Sequence, residues 1–368
     1  MIKKNLFKVI LINLLIFFII ISSIIIFPPF ILDGYKSLKN NILSNVSKTV
    51  DTRAKLINYK NYDWAEKHFD ELNKLSTKYY DYIGWRRNEF KGQTININEM
   101  GYRKNSKKNN TINPVKNEAW FFGGSAIWGT GSPDDKTIPA IFEEFSDLTS
   151  TNFGESGYTT QQNLNLLIKN YIIGGKPKVV FFYDGVNDIS YKCRKELDFF
   201  SSGRERYIRD QLEKSNLSKL VGPTKDLFKI LLNKFNLKNN NFYDCDTNPK
   251  KSNLIVENFI MNWEIAKNIV ESNGGIFYPI LQPMGYIGEP NVSHLKLNSN
   301  SGTGSQINQF LFMYDKIQNK LREKNLNYID LTKIFNNNEY YYIDFVHVSP
   351  DGNKKIAKSI FEKIKIEN

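Results

Sequence analysis

The chain has 368 residues, 41% of them hydrophobic and 14% aromatic, enough to bury one large core and a smaller appendage, which excludes a disordered tail. Its net charge of +12, from 50 Lys and Arg against 38 Asp and Glu, is scattered rather than gathered into one basic block. No nucleic-acid motif accompanies that charge, so it reads as background, with an anionic lipid or acidic glycan surface as the alternative.

Residues 1–8 read as a cytoplasmic tail with Lys3, Lys4 and Lys8, and the stretch from Val9 to Phe27 is apolar except for Asn13, Ser22 and Ser23. As a helix this stretch spans about 28 Å, close to the ~30 Å hydrocarbon core of a bilayer. It is longer than the apolar region of a cleavable signal and lacks a small-x-small cleavage site. The expectation is one uncleaved transmembrane helix over 9–27, with the body outside the cytoplasmic membrane. Residues 32–117 follow as a membrane-proximal helical segment. Within it "DWAEKHFDELNKL" sets Trp64, Ala65, His68, Phe69, Leu72 and Leu75 at helical spacing, which makes His68 a packed histidine. The polar, proline-ended stretch that closes this segment marks the main domain boundary.

Over 118–366 short apolar strands alternate with amphipathic helices. "AWFFG" predicts a strand, "TIPAIFEEF" a helix, and "TNFGESGYTTQQNLNLLIKNYIIGG" a short strand, a turn and a helix stopped by Gly174 and Gly175. "PKVVFFYDG", "GGIFYPILQP" and "LNYIDLT" predict further strands, and "SPDGNKKIAKSIFEKI" a closing helix with Ile356, Ala357, Ile360, Phe361 and Ile364 on its apolar face. Strands buried on both sides and separated by helices imply an α/β fold, a mostly parallel sheet covered on both faces, with ligands at the carboxyl ends of the strands.

The first such end carries "GGSAIWGTG". Gly124 and Gly129 have the spacing of a phosphate loop, but Thr130 stands where that loop needs Lys. A dinucleotide fingerprint fails at Asp134, and the G-x-S-x-G elbow fails at Ile127. The other strand ends carry "GESGYT" with Gly157, "GVND" with Asn187 and "DFVHVSPDGN" with Asp344 and His347. A serine hydroxyl needs a neutral imidazole to take its proton and a carboxylate to hold that ring in the right tautomer. Asp-x-x-His supplies both from one turn of chain. The amides of Ser125 and Gly157 with the side-chain NH2 of Asn187 would form an oxyanion hole.

These four blocks, in this order, resemble the SGNH branch of the GDSL-type serine esterases over about Glu118 to Ile366. The resemblance implies a three-layer α/β/α domain with a flavodoxin-like parallel sheet and no cofactor. By the same resemblance Ser125 is the nucleophile, His347 the base and Asp344 its orienting acid, with Gly157 and Asn187 as oxyanion donors. The first block is "GGSAIWG" rather than the fuller "GDS" form, a departure seen in branches that act on surface glycans.

Among nearby polar residues, Asp188 reads as a loop-stabilising carboxylate, His294 as a solvated histidine and Asp351 as a turn or cap residue. Trp128 and Tyr158 fit either core packing or a sugar-stacking wall. The family pattern is interrupted over 191–252, where Cys193 and Cys245 bracket a charged helical sequence. In an oxidising compartment the two can close a disulfide; the alternative is two buried free thiols. No His or Cys lies at zinc-ligand spacing from either, and no metal is expected. The interruption reads as a lid over the active-site edge, or as surface elaboration. The resulting expectation is a membrane-tethered extracytoplasmic esterase that removes an acyl group, acetyl first, from a surface or exported polysaccharide. Its rivals are an O-acyltransferase fed by a membrane acyl-donor protein, a non-catalytic glycan-binding or assembly module, and a cytoplasmic lipase or thioesterase.

Overall fold

The computed structural model describes residues 51–105, 117–197, 243–297 and 299–364, together with residues 12–18, 20 and 23. The chain divides into two compact units, one of residues 50–205 with 240–368 and the other of residues 1–49 with 206–239. Most of the apolar span 9–27 lies outside the described residues, as does the interior of the expected lid. Residues 12–18 are helical with exposed apolar side chains. No helix among the described residues is long and apolar enough to cross a membrane.

The larger unit is built on five parallel strands: β5 (Glu118–Gly123), β6 (Thr149–Asn152), β7 (Val179–Asp184), β8 (Ile276–Leu281) and β9 (Ile329–Asp330). Their order is β6-β5-β7-β8-β9. The chain therefore runs outward from β5 to one edge, then crosses back and proceeds to the other, which is the doubly wound, flavodoxin-like order. Alternation along each strand loads both faces with aromatic rings. Phe121, Phe181 and Tyr278 form a stacked row on one face, with centroids 4.5 and 5.7 Å apart. Phe122, Phe182 and Phe277 form a second row on the other, at 5.2 and 5.1 Å. Each such pair contributes about 0.5–1.5 kcal/mol beyond the area it buries. Helices α3 (Ile138–Phe145) and α8 (Pro350–Lys363) cover the first row through Phe142, Ile356 and Ile360. Helices α4 (Thr160–Ile172) and α6 (Pro249–Ser272) cover the second, with α7 (Gln306–Glu323) packed beside α6.

Pro279 lies inside β8, where a proline costs a ladder hydrogen bond if its nitrogen faces a partner. Here Ile276 and Gln282 donate toward β7, so the even-numbered amides face that strand and Pro279 faces the other side. On that side β9 pairs only with Ile280 and Leu281, so no ladder bond is lost.

The boundary expected at residue 117 is not one. Residues 51–105 belong to the same compact unit as the sheet, and they hold one helix, α1 (Ala65–Lys74), with four short strands, β1 (Thr77–Tyr80), β2 (Gly84–Arg87), β3 (Phe90–Lys91) and β4 (Asn96–Ile97). The physical reason is a set of buried polar ties. Arg103 bridges β4 and β6 and covers that sheet edge. Arg86 Nη1 donates to Phe153 O at 3.1 Å and the Tyr59 hydroxyl to Gly131 O at 2.6 Å, while within the segment Glu71 of α1 accepts the amides of Gln93, Thr94 and Ile95 and the hydroxyl of Thr94. His68 behaves as the sequence pattern implies: it is fully buried against Trp64 and Phe69.

Candidate active site

Ser125 follows β5 as the first residue of α2 (Ser125–Trp128), a single turn too short to hold itself. Its carbonyl ends are taken up from outside. Asn152 donates to Ile127 O at 2.9 Å, and Arg103 Nη1 donates to Trp128 O at 3.0 Å and Gly129 O at 2.7 Å. Arg103 is itself buried, lies 4.4 Å from the Trp128 ring and is neutralised by Asp134 at 2.9 Å. The serine is thus set on a rigid turn. As a first helical residue, its own N–H has no intrahelical acceptor.

Asp344 and His347 lie in the turn before α8. An antiparallel bridge between Tyr342 and Val348, with Ile343 N donating to His347 O at 2.9 Å, closes that turn. Asp344 Oδ1 accepts the amides of Val346 at 2.9 Å and His347 at 2.8 Å. Its Oδ2 lies 2.7 Å from His347 Nδ1, and His347 Nε2 lies 2.7 Å from Ser125 Oγ. Burial pushes the Asp344 carboxyl up, but the pairing with His347 and these hydrogen bonds outweigh it and hold the group at about 2. An ionised carboxylate requires Nδ1 to carry the proton, which leaves Nε2 as the acceptor for the serine hydroxyl.

Asn187 is the second residue of α5 (Val186–Lys192), directly after β7. Its Nδ2 donates to Tyr158 O at 2.8 Å, which fixes the amide plane and leaves the second N–H to point elsewhere. Gly124 makes room for it: a Cβ there would stand 2.3 Å from Asn187 Nδ2. Gly157 adjoins Tyr158 and has φ +80°, a conformation costly for any side chain. The segment around Gly157 is gripped by β2. Trp85 Nε1 donates to Ser156 O at 3.0 Å, Arg87 N to Glu155 Oε2 at 2.9 Å, Arg87 Nη2 to Ser156 Oγ at 2.8 Å and Arg86 Nη1 to Phe153 O at 3.1 Å. In return Tyr158 donates to Trp85 O at 2.5 Å.

The structure therefore brings Ser125, His347 and Asp344 into one hydrogen-bonded chain and seats Asn187 against the residue preceding the serine. Other residues singled out from the sequence fall outside that chain. Asp188 accepts from Thr160 N at 3.0 Å and Thr160 Oγ1 at 2.9 Å and pairs with Lys192 at 3.2 Å, a structural carboxylate. Trp128 and Tyr158 are buried core residues, not an exposed wall. His294 is half-buried rather than solvated, with Nε2 2.8 Å from Tyr342 O and its ring against Tyr340. Asp351 accepts the Tyr62 hydroxyl at 3.1 Å. Cys193 and Cys245 are disulfide-bonded, and Arg194 and Tyr243 bridge beside them. The last residues of the expected interruption, Pro249 to Ser252, form the first turn of α6. Residues 198–242, which carry the expected lid, lie outside the described residues. A cleft of about 630 Å³ along the β6 edge is lined by Tyr102, Trp120 and Phe153 but by no member of the serine–histidine–aspartate chain.

Sequence reasoning missed the contributions of Arg53, Arg87 and Arg103. Arg53 Nη1 lies 3.7 Å from Asp344 Oδ2. Nothing in hydropathy distinguishes these arginines from solvated ones, because their partners are far away in the chain.

No protein-family model matches the chain, and no curated protein matches it. Among solved structures it is similar to a member of the lipolytic protein G-D-S-L family from Veillonella parvula, at 12% identity and a TM-score of 0.37, over 68% of this chain and 98% of that one. An acetyl xylan esterase is similar at 16% identity and a TM-score of 0.38, over 67% and 99% of the two chains. A carbohydrate acetylesterase family member from Sinorhizobium meliloti is similar at 13% identity and a TM-score of 0.33, over 67% and 96%.

Proposed function

We propose that this chain is a membrane-tethered serine esterase that removes an O-acyl group, acetyl first, from a surface or exported polysaccharide. The observation that carries the reaction class is the continuous chain Ser125 Oγ, His347 Nε2, His347 Nδ1, Asp344 Oδ2, with both links at 2.7 Å. Ser125 Oγ attacks the ester carbonyl carbon as His347 Nε2 takes its proton. The carbonyl oxygen becomes negative and is met by the Ser125 and Gly157 amides and the free N–H of Asn187, each donor worth about 3–4 kcal/mol of barrier. The tetrahedral species collapses, the sugar hydroxyl leaves with the proton from His347, and the acyl group stays on Ser125. Water, activated by the same imidazole, then releases the acid and restores the serine.

Three features support the location. The helix at residues 12–18 exposes Leu14, Leu15, Phe17 and Phe18, side chains that favour a lipid environment over water. Lys3, Lys4 and Lys8 precede it, as expected for a cytoplasmic start. The Cys193–Cys245 bond fits an oxidising compartment. The resemblance of the four sequence blocks to glycan-active SGNH branches supports the polysaccharide.

The test is acetate release from an O-acetylated polysaccharide by the full chain in detergent, beside Ser125→Ala. We expect release by the wild type and a loss of at least about 10³-fold in the variant. Acetate passed to an added glycan without release would make the chain a transferase built on the same serine. Equal release by both proteins would defeat the reading.

A further inference from the structure

Asp344 has a neighbour that the acyl-transfer steps leave unused. Both lone-pair regions of its Oδ1 are taken by backbone amides, while Oδ2 meets His347 on one side and Arg53 Nη1, at 3.7 Å, on another. Arg53 is not a wandering surface side chain. Its Nε and Nη2 grip Asp51 as a fork, at 3.1 and 2.8 Å, and its guanidinium lies over the Phe69 ring at 4.8 Å. Asp51 also accepts Arg53 N at 3.0 Å and so caps the turn Thr52–Lys55 that carries the arginine. With two of its three nitrogens committed, the third is left facing the acid of the triad.

Resting on the serine-esterase reading above, we infer that Arg53 is a positioning residue: clamped by Asp51, it fixes the Asp344 carboxylate and opposes the positive charge that gathers on His347. The first effect favours the correct imidazole tautomer and orientation. The second is a charge effect: a guanidinium beside the pair disfavours a second positive charge on the ring. Asp51 limits the second effect, since its own charge sits against the guanidinium.

The titratable groups around this pair are few. Asp51 and Tyr59 face it from the N-terminal turns, His68 from α1, and His347 from the Asp344 turn itself. Burial keeps Tyr59 a neutral phenol, and burial with the nearby arginines holds His68 neutral down to about 2. The charges that act on the His347 imidazole from this side are therefore Asp344, Arg53 and Asp51.

The experiment is the rate at which a fluorophosphonate labels Ser125 in the full chain, followed against pH in wild type, R53Q, R53K and D51N. This readout needs no natural substrate and reports the proton-accepting state of His347 directly. R53Q is expected to label several-fold more slowly at neutral pH and to move the acid limb of the profile up by about half a pH unit. R53K, which keeps the charge without the fork, should hold the limb in place while recovering only part of the rate. D51N, which leaves Arg53 uncompensated, should move the limb down. Opposite shifts for the two partners are not a consequence of general loosening. An unshifted R53Q limb, or R53Q and D51N limbs moving the same way, overturns the inference while leaving the esterase reading intact. If R53Q does not fold, an unshifted or upward D51N limb overturns it by itself. Wild-type protein whose Ser125 takes no label removes the serine-nucleophile reading, and this inference with it.

Discussion

At the scale of single residues, the site depends on what small side chains permit. Gly124 matters less for its backbone conformation than for the space above it, because a methyl group there would collide with Asn187 Nδ2. Gly124→Ala should therefore mimic Asn187→Ala. Each is expected to lower kcat about 10²–10³-fold with KM little changed, since the lost donor acts on charge that exists only in the transition state. Steady-state kinetics on an acetyl ester check this, and a wild-type kcat in either variant would remove Asn187 from the oxyanion hole. The charge state of Asp344 follows the same logic. Held at about 2, it stays ionised throughout the working range, so the acid limb of activity reports the imidazole alone.

His68 shows a different consequence of burial. Its Nδ1 lies 3.0 Å from Thr94 Oγ1, and that hydroxyl already donates to Glu71, so Nδ1 must carry the ring proton. Burial, reinforced by the charges of Arg103 and Arg53, lowers its pKa to about 2. The unfolded chain binds a proton there near the ordinary value of about 6.5, whereas the folded chain refuses it. Stability contributed by the neutral ring is therefore complete above about 6.5 and is lost progressively as pH falls toward about 2. Thermal unfolding should drop between pH 7 and pH 5 in the wild type and less steeply in His68→Phe. Parallel slopes in the two proteins would assign the acid sensitivity to other groups.

At the level of elements, a one-turn helix carries Ser125, the proposed nucleophile, and borrows its rigidity from residues 51–105. Arg103 takes two carbonyls at its C-terminal end, β2 grips the segment of Gly157, and Arg53 meets the acid. Arg103→Met should cost about 3–5 kcal/mol, because it leaves Asp134 without its cation and several buried carbonyls without a donor. Urea unfolding measures the cost, and a loss under about 1 kcal/mol would mean that α2 does not depend on this clamp.

This is also where sequence and structure part. The strands are legible because Phe121, Phe181 and their neighbours form unbroken apolar runs, and Ser125 and Asn187 because each falls just past such a run; Gly157 follows the polar strand Thr149–Asn152, and His347 lies in the turn before the closing helix rather than at a strand end. The membership of residues 51–105 was not legible. A polar, lysine-rich stretch reads as solvated spacer, yet Arg86 and Arg103 within it are buried and donate to the backbone carbonyls of Phe153, Gly129 and Ser132 in the sheet domain. Hydropathy counts such residues as surface, and no local pattern encodes a partner dozens of positions away.

For the molecule as a whole, the larger unit is one compact body in which residues 51–105, the parallel sheet and the turn before α8 each supply part of one site. The disulfide joins Cys193, just past α5, to Cys245, just before α6, so the two ends of the excursion are tied close to the helix that bears Asn187. The loop it closes, with a sequence separation of 52, stabilises by about 4 kcal/mol through restriction of the unfolded chain. Together these ties give a preorganised site, the condition under which fixed dipoles stabilise a developing oxyanion without reorganising.

In the proposed reaction Ser125 is a nucleophile activated by His347. The most direct test of this is mass spectrometry of the full chain after treatment with a fluorophosphonate, beside Ser125→Ala and His347→Ala. We expect one stoichiometric adduct mapped to Ser125 in the wild type, none at this site in Ser125→Ala, and labelling slowed by at least about 10³-fold in His347→Ala. An adduct on another residue, or labelling of Ser125 at the same rate without His347, would show that His347 does not activate Ser125.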